Sequence, residues 1–242
     1  MPSSGAQRIP EAQGSEPAPQ RRERNAVETQ LRIVRAAEVE FARKGFDGAR
    51  LGQIARAAEV QQALIHHYFH DKEGLYRAVV DHAVGAMSVE GWEVLHRLLS
   101  PLDASRVPEV VRAFVDLLVW QSLTHASAFA ILRHAAAAEG AGETRSEALI
   151  RRTMRDKMRP LFDAVVALIE EMRAQGHVRS DVEPRHLCIS VLSLALLAAQ
   201  DDGIVRAVWN VDVRSPDFIA ERKQEIVATV LARILPTATP SG

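Results

Sequence analysis

Apolar side chains recur at intervals of three and four positions along most of this chain, which is the period of an amphipathic α-helix. One such stripe consists of Ile33, Val34, Ala37 and Phe41. Good helix formers dominate the composition, and no segment shows the sustained alternation of apolar and polar residues that marks a strand. The pattern therefore predicts an all-α protein with about nine or ten helices.

Turn and capping residues divide this pattern into separate helices. Gly45 fits the left-handed position that often follows a helix, Asp71 fits the N-cap of a helix beginning at Lys72, and Pro160 is expected to bend a long helix. The predicted helices cover about residues 25–44, 51–58, 61–67, 72 onwards, 108–126, 127–139, 143–175, 183–200 and 215–235.

Residues 1–20 lack the helical pattern. They contain four proline, two glycine and three serine residues and almost no large apolar side chain. Such a segment cannot bury enough apolar surface to offset the entropy lost on ordering, so a disordered tail is expected there.

The overall charge is close to zero, with 30 basic and 31 acidic residues. This balance excludes a protein that coats nucleic acid through bulk charge. The charges are unevenly divided, however, because residues 21–77 contain eleven basic and eight acidic side chains, a net charge of +3, and the remainder has −4. A mildly basic N-terminal module on an acidic body is compatible with nucleic-acid binding.

The cellular compartment is constrained by two further features. The single cysteine, Cys188, excludes a disulfide framework and suits a reducing compartment. The N-terminus shows no apolar leader, and the longest apolar run, at residues 191–199, is too short to cross a bilayer. A cytoplasmic protein without a membrane partner is therefore expected.

The segment 51–76 has the layout of a helix-turn-helix module, in which two short helices are joined by a tight turn. The two helices would be held together by Ile54, Ala55, Val60, Leu64, Ile65 and Phe69. The second helix would present polar side chains outward, and an α-helix fits into the major groove of DNA. There a glutamine amide pairs with adenine and an alanine methyl contacts the thymine methyl.

Four blocks in this region carry a resemblance to a known family. They are Phe41-Ala-Arg-Lys-Gly-Phe46-Asp-Gly, Ile54-Ala-Arg-Ala-Ala, Ala63-Leu-Ile-His-His-Tyr-Phe69 and Asp71-Lys-Glu-Gly-Leu-Tyr76. In order and spacing they resemble the N-terminal signature of the TetR/AcrR family of transcriptional regulators. The resemblance implies a three-helix DNA-binding domain at 21–70, a connecting helix from 72, and a larger helical ligand-binding and dimerisation domain at 71–242.

The resemblance also implies roles for single residues, although three positions depart from the family pattern. Glu59 stands where the turn usually has glycine, Gln61 where the second helix often begins with serine, and His66 where an aromatic residue is usual. Base edges would be contacted by Gln61, Gln62, Ala63 and His67. Phosphates would be contacted by Arg50, His66, Tyr68 and Lys72, and Arg21, Arg22 and Arg24 would form an arm along the DNA.

Metal binding and catalysis find little support in the sequence. His66 and His67 point in different directions from a helix, and no carboxylate or cysteine cluster is in register with them. There is no glycine-rich phosphate loop and no nucleophile elbow. We therefore expect neither an enzyme nor a protein with a metal or other cofactor.

The helix at 108–126 carries an apolar stripe that ends in polar side chains, which would orient a ligand in a largely apolar pocket. An equally good interpretation is that the polar end of this helix emerges into solvent. The neighbouring aromatic and methionine side chains would then belong to the ordinary hydrophobic core. The candidate ligand-binding residues are Trp120, Gln121, His125, Phe129, His134, Met154, Met158 and Phe162.

The last apolar helices carry more apolar surface than one body needs, which suggests a four-helix interface across a two-fold axis. Burial within the monomer is the alternative. The candidate interface residues are Leu187, Val191, Leu194, Leu197, Ile226, Val227, Val230 and Ile234.

These features together predict a homodimeric, ligand-responsive transcriptional regulator. We expect a repressor that binds pseudo-palindromic double-stranded operator DNA and is released by a small hydrophobic or amphipathic effector. Two alternatives are an effector-independent DNA binder or activator, and a helical protein-interaction module whose head has lost affinity for DNA.

Overall fold

The computed structural model describes residues 18–98, 106–137, 145–200 and 202–236. This part of the chain forms eleven helices and no strand, so the all-α prediction is confirmed. The helices are α1 (Ala18–Gly48), α2 (Leu51–Ala57), α3 (Gln62–Phe69), α4 (Lys72–Leu98), α5 (Val107–Thr124), α6 (Ala126–Ala137), α7 (Arg145–Lys157), α8 (Arg159–Ala174), α9 (Pro184–Gln200), α10 (Asp202–Trp209) and α11 (Pro216–Ile234).

Helices α1, α2 and α3 and the start of α4 form an N-terminal head. Its centre is an aromatic cluster in which the Tyr76 ring lies 4.8 Å from the Phe41 ring and 5.1 Å from the Phe46 ring, edge to face in both cases. Helix α1 begins at Ala18, before the expected start at residue 25, so the backbone of the three arginines assigned to an arm is helical. Residues 1–17 of the expected tail lie outside the described part of the chain.

The body consists of the rest of α4 together with α5–α11. Helix α4 runs without interruption from the head into the body, where Gly91 allows α8 to approach closely. A Cβ atom at Gly91 would lie 2.3 Å from Cδ2 of Leu161. Helices α5 and α6 meet at an angle of 78°. No single helix in the described ranges is long and apolar enough to span a bilayer. Helix α5 and the first part of α6 together reach the required length and apolarity, but the chain bends sharply between them.

The long helix expected at 143–175 is divided in two. Helix α7 ends at Lys157 and α8 begins at Arg159, with Pro160 in the first turn of α8. Proline lacks the amide hydrogen that would continue the helical ladder and its ring clashes with the preceding turn, so it starts a new helix here rather than bending one. This break and the short helix α10, which the pattern did not predict, raise the number of helices above the expected nine or ten.

The predicted dimer interface requires a correction. Ile226, Val230 and Ile234 retain 1%, 4% and 3% of their exposure, so they belong to the core of the protomer and are not interface residues. They point inward because the opposite face of α11 is polar or small. Four others, Leu187, Val191, Leu194 and Val227, are half-buried against the same core, and the Leu197 side chain lies outside the described part of the structure.

Candidate nucleic-acid interface and internal cavity

Helices α2 and α3 form a compact helix-turn-helix. Ile54 on α2 and Ile65 on α3 are fully buried between the two helices and the rest of the head. The turn contains Glu59 in a left-handed conformation, with φ of +54°. The amide of the following Val60 donates a hydrogen bond to Ala55 O at 2.9 Å, which closes the turn. The position that usually holds glycine therefore has the backbone conformation for which glycine is the favoured residue.

The outer face of α3 is polar and exposed. The predicted base-reading residues Gln61, Gln62, Ala63 and His67 are all exposed, while Ile65 points into the head. Gln61 is the extended residue before the helix, and its side chain makes no capping hydrogen bond. The amide side chains at the start of α3 therefore project toward solvent, as a groove-reading helix requires.

The histidine-rich end of α3 does not assemble a metal site. Nδ1 of His66 donates a hydrogen bond to the backbone carbonyl of His70 at 3.0 Å. The rings of His67 and Tyr68 lie 5.0 Å apart, edge to face, and Tyr68 is half-buried. Within the described ranges no group of three His, Cys, Asp or Glu side chains converges on a common point.

Two predicted phosphate contacts have different surroundings. Arg50 is exposed, in an extended conformation directly before α2. Lys72 is half-buried, because its Nζ donates a hydrogen bond to Asp47 O at 3.1 Å and lies 4.8 Å from the centre of the Phe46 ring. Lys72 thus ties the start of α4 to the end of α1. The neighbouring Asp71 accepts a hydrogen bond from the Gly74 amide at 2.7 Å, which confirms it as a helix cap.

A direct contact joins the body to the head where α1 ends. Gly45 has φ of +67° and interrupts α1 there, as expected. The His134 ring on α6 lies 3.6 Å from where a Cβ atom of Gly45 would be, and Nε2 of His134 donates a hydrogen bond to Ala42 O at 3.1 Å. The sequence placed His134 beside a ligand. In the structure it lies at this junction instead, because α6 packs against α1 and contributes no described side chain to the cavity wall.

The body contains a cavity of about 120 Å³ that is partly open to solvent. Its wall comes mainly from α5, α8, α9 and α11, and Gly91 contributes from α4. The side chains are apolar apart from Gln121 and Cys188. Three of the eight candidate ligand residues, Gln121, Met158 and Phe162, line this cavity.

The remaining candidates lie elsewhere in the body. Trp120 is 47% exposed, and its ring meets the His125 ring edge to face at 5.8 Å. Phe129 and Met154 are half-buried against the general core. Of these three residues only Trp120 lies on a helix of the cavity wall, on another face of α5, whereas Phe129 lies on α6 and Met154 on α7.

Gln121 connects the cavity wall to α4, and only 4% of its surface is exposed. Its Nε2 donates hydrogen bonds to Met87 O at 2.9 Å and to Oε2 of Glu90 at 3.0 Å. The same Glu90 carboxylate accepts a hydrogen bond from Nε2 of His125 at 3.0 Å, at the bend between α5 and α6. Hydrophobic periodicity could not reveal this network, because it joins residues more than 30 positions apart.

Cys188 lies in the cavity wall on α9. Burial, with a smaller contribution from the Glu183 carboxylate, raises the pKa of its thiol from 9.0 to about 11. The group is therefore a neutral thiol at physiological pH, and the cavity wall carries no charge.

Two family models match the chain. The model described as bacterial regulatory proteins of the tetR family matches residues 33–79, which include the helix-turn-helix. The model described as the tetracyclin repressor-like C-terminal domain matches residues 108–230, which include most of the cavity wall.

Relatives with curated names point the same way. The chain is 34% identical over 109 residues to the HTH-type transcriptional repressor SCO4008 of Streptomyces coelicolor, covering 41% of this chain and 53%, or about half, of that repressor. It is 27% identical over 173 residues to the HTH-type transcriptional repressor NicS of Pseudomonas putida, covering 72% of this chain and 76% of NicS.

The fold also matches solved structures. A candidate TetR-family transcriptional regulator from Mesorhizobium loti superposes with a TM-score of 0.60 at 17% identity, covering 87% of this chain and 98% of that one. At this level of identity the likeness concerns the fold alone.

Proposed function

Because the chain belongs to the TetR family of bacterial regulatory proteins and is therefore a DNA-binding transcriptional regulator, we propose that it is a repressor of a pseudo-palindromic operator. The exposed polar face of α3 carries this proposal, since it is mounted on a well-packed helix-turn-helix. The relatives SCO4008 and NicS, both named as repressors, support the direction of regulation. The proposal requires a protein that acts in the cytoplasm, where bacterial DNA lies.

The contacts with DNA divide into two kinds. Gln61, Gln62, Ala63 and His67 enter the major groove and read base edges, with the glutamine amides suited to adenine. Arg50, His66, Tyr68 and Lys72 hold phosphates and set the position of α3 without reading sequence. Lys72 serves both the fold and the DNA, because an ammonium that donates one hydrogen to Asp47 O keeps two for a phosphate.

Two copies act together on one operator. A two-fold dimer would set two α3 helices about 34–36 Å apart, so that they enter successive major grooves on one face of the duplex. We assign the contact between copies to α9 and α10, where Ile189, Val208 and Trp209 are 58%, 63% and 68% exposed. Burial of these side chains against a second copy would remove a substantial apolar surface from water.

A small hydrophobic or amphipathic effector releases the repressor by occupying the cavity. Gln121 is held by α4, the helix that runs into the head, and the Glu90 carboxylate links it to the bend before α6. Helix α6 in turn contacts the end of α1 through His134. A ligand that favours a different arrangement of these helices would shift the population toward one whose heads no longer match the operator.

Selection from a pool of random double-stranded DNA with the full chain tests the proposal. We expect enrichment of a sequence with two inverted half-sites about one helical turn apart. Light scattering on the same preparation is expected to give a dimer. Recovery of unrelated sequences with no common half-site would refute operator recognition, and a monomer at micromolar concentration would remove the symmetric arrangement.

A further inference from the structure

The wall of the cavity in the body is almost entirely apolar. It contains two polar side chains, Gln121 and Cys188, and no charged one. The Cys188 thiol stays neutral, because burial raises its pKa to about 11. A carboxylate or an ammonium group that packs against this wall would lose hydration there without gaining an ionic partner, which is unfavourable. The cavity therefore selects against charged molecules.

Gln121 supplies a hydrogen-bond acceptor, and its orientation is determined by its neighbours. One end of its amide lies between Met87 O at 2.9 Å and Oε2 of Glu90 at 3.0 Å. Both neighbours only accept hydrogen bonds, so this end is the NH2 group and both of its hydrogens are engaged. The other end is the carbonyl oxygen Oε1, and no donor among the described residues is hydrogen-bonded to it.

An acceptor of this kind requires a donor on the ligand. An apolar molecule that displaced solvent from this amide oxygen would leave it without a hydrogen bond, which is costly. A molecule with a hydroxyl group would satisfy it without bringing a charge into the cavity. The volume of about 120 Å³ is close to that of an engineered apolar cavity of about 150 Å³ that binds benzene.

We infer that the cavity binds a small uncharged molecule with one hydroxyl group on an apolar body the size of a single ring, such as a simple phenol, and that its hydroxyl donates to Oε1 of Gln121. This inference rests on the proposed function only in taking that molecule as the effector. The apolar body would contact side chains from three helices, among them Phe114, Phe162 and Leu187. A simple phenol stays neutral at pH 7, because its pKa, like that of tyrosine, is about 10.

Calorimetric titration of the full chain, without DNA, tests the inference with four ligands of similar size. The probes are p-cresol, toluene, benzoate and benzylamine. We expect p-cresol to bind, toluene to bind about tenfold more weakly for want of the hydroxyl, and the two charged molecules not to bind. Binding of benzoate or benzylamine as tight as that of p-cresol would overturn the inference, as would failure of both neutral ligands.

Two variants on α5 locate the hydroxyl. Gln121→Met keeps the length of the side chain but removes the acceptor, so p-cresol and toluene should bind it with equal affinity. Thr124→Val removes a polar group from an exposed position on the same helix and should preserve the tenfold preference for p-cresol over toluene. A preference retained in Gln121→Met would refute the role of Gln121. If that variant does not fold, the ratio of p-cresol to toluene in the natural chain decides alone, and equal affinities would refute the hydroxyl contact.

These titrations are separable from the test of the proposed function. Operator selection is performed without ligand, so it succeeds or fails independently of what the cavity binds. A protein that selects an operator but binds none of the four probes retains the proposed function and loses the inferred ligand class. A protein that binds p-cresol but selects no operator retains the inferred ligand class and loses the proposed function.

Discussion

The imidazole Nε2 of His134 lies 3.1 Å from the backbone carbonyl of Ala42, and the hydrogen bond between them ties α6 of the body to the last turns of α1 in the head. The same ring lies against Gly45, whose φ of +67° interrupts α1. Ala42 and His134 are 92 positions apart in the chain. Any displacement of α6 therefore acts directly on the segment that leads into the helix-turn-helix.

Loss of the His134 side chain should loosen the end of α1. A hydrogen bond of this kind contributes about 1 kcal/mol, so amide hydrogen exchange in residues 43–48 of His134→Ala should become about fivefold faster. Mass spectrometry of the exchanged protein measures this rate. Arg133→Ala, on an exposed neighbouring position of α6, is the matched control and should leave the rate unchanged. Equal exchange in the two variants would mean that the contact does not hold the head.

Relief of backbone strain at Glu59 should stabilise the head. Its φ of +54° is unfavourable for a residue with a Cβ atom, so Glu59→Gly is expected to raise the free energy of unfolding by about 0.5–1 kcal/mol. Urea denaturation followed by circular dichroism measures the change. Glu59→Ala keeps the Cβ atom and removes only the carboxylate. If Glu59→Ala stabilised the protein as much as glycine does, the effect would come from charge and not from the backbone.

The two glycines in the middle of α4 should respond in opposite directions to alanine. At Gly91 a Cβ atom would lie 2.3 Å from a methyl group of the buried Leu161, so Gly91→Ala should destabilise the protein by about 1–2 kcal/mol and push Leu161 toward the cavity. At Gly85 the nearest atom is the flexible end of Lys157 at 3.4 Å, so Gly85→Ala should stabilise by about 0.5–1 kcal/mol through helix propensity.

Thermal denaturation of both variants checks this expectation. Titration with p-cresol adds a second test, because a displaced Leu161 would reduce the space in the cavity and weaken binding in Gly91→Ala alone. If both alanines stabilised the protein to the same extent, α8 would not pack closely against Gly91.

The Cys188 thiol should be unreactive in the folded protein. With its pKa raised from 9.0 to about 11, the thiolate fraction at pH 8 falls about 100-fold, and iodoacetamide should react slower than with the urea-unfolded chain by at least that factor. Because the folded-state pKa is the higher one, this group also costs stability as the pH rises from 9.0 toward 11. If Cys188 in the folded protein reacted with iodoacetamide at a rate within a few-fold of that in the unfolded chain, its thiol would not be buried.

The local elements of this protein could be predicted from the sequence. The short helices α2 and α3, the cap at Asp71 and the positive φ at Gly45 each depend on residues close together in the chain. Periodicity also identified the buried stripe of α1, which runs from Ile33 to Phe41. It identifies which face is buried, however, and not what covers that face.

The predicted side-chain partners that differ from the structure concern which distant helix covers a given face. Ile226 and its neighbours on α11 could have met a second copy or the protomer's own core, and the structure shows the core. The sequence predicts His134 and Gln121 in one pocket, because both lie on helices of the body. The structure separates them, since one side chain reaches α1 and the other reaches α4. Only the packing of distant helices determines such partners.

The base preference of two variants decides whether α3 reads base edges while the residues around it hold phosphates. Affinities of Gln62→Ala and Arg50→Ala are measured by fluorescence anisotropy for the selected operator and for each single-base-pair change in it, at several salt concentrations. We expect Gln62→Ala to lose discrimination at one symmetric pair of positions, by about 1–3 kcal/mol. Arg50→Ala should weaken all sequences alike and reduce the slope of the salt dependence. If both variants weakened binding to all sequences alike and left the base preference intact, Gln62 would not read a base edge and α3 would not have the proposed role.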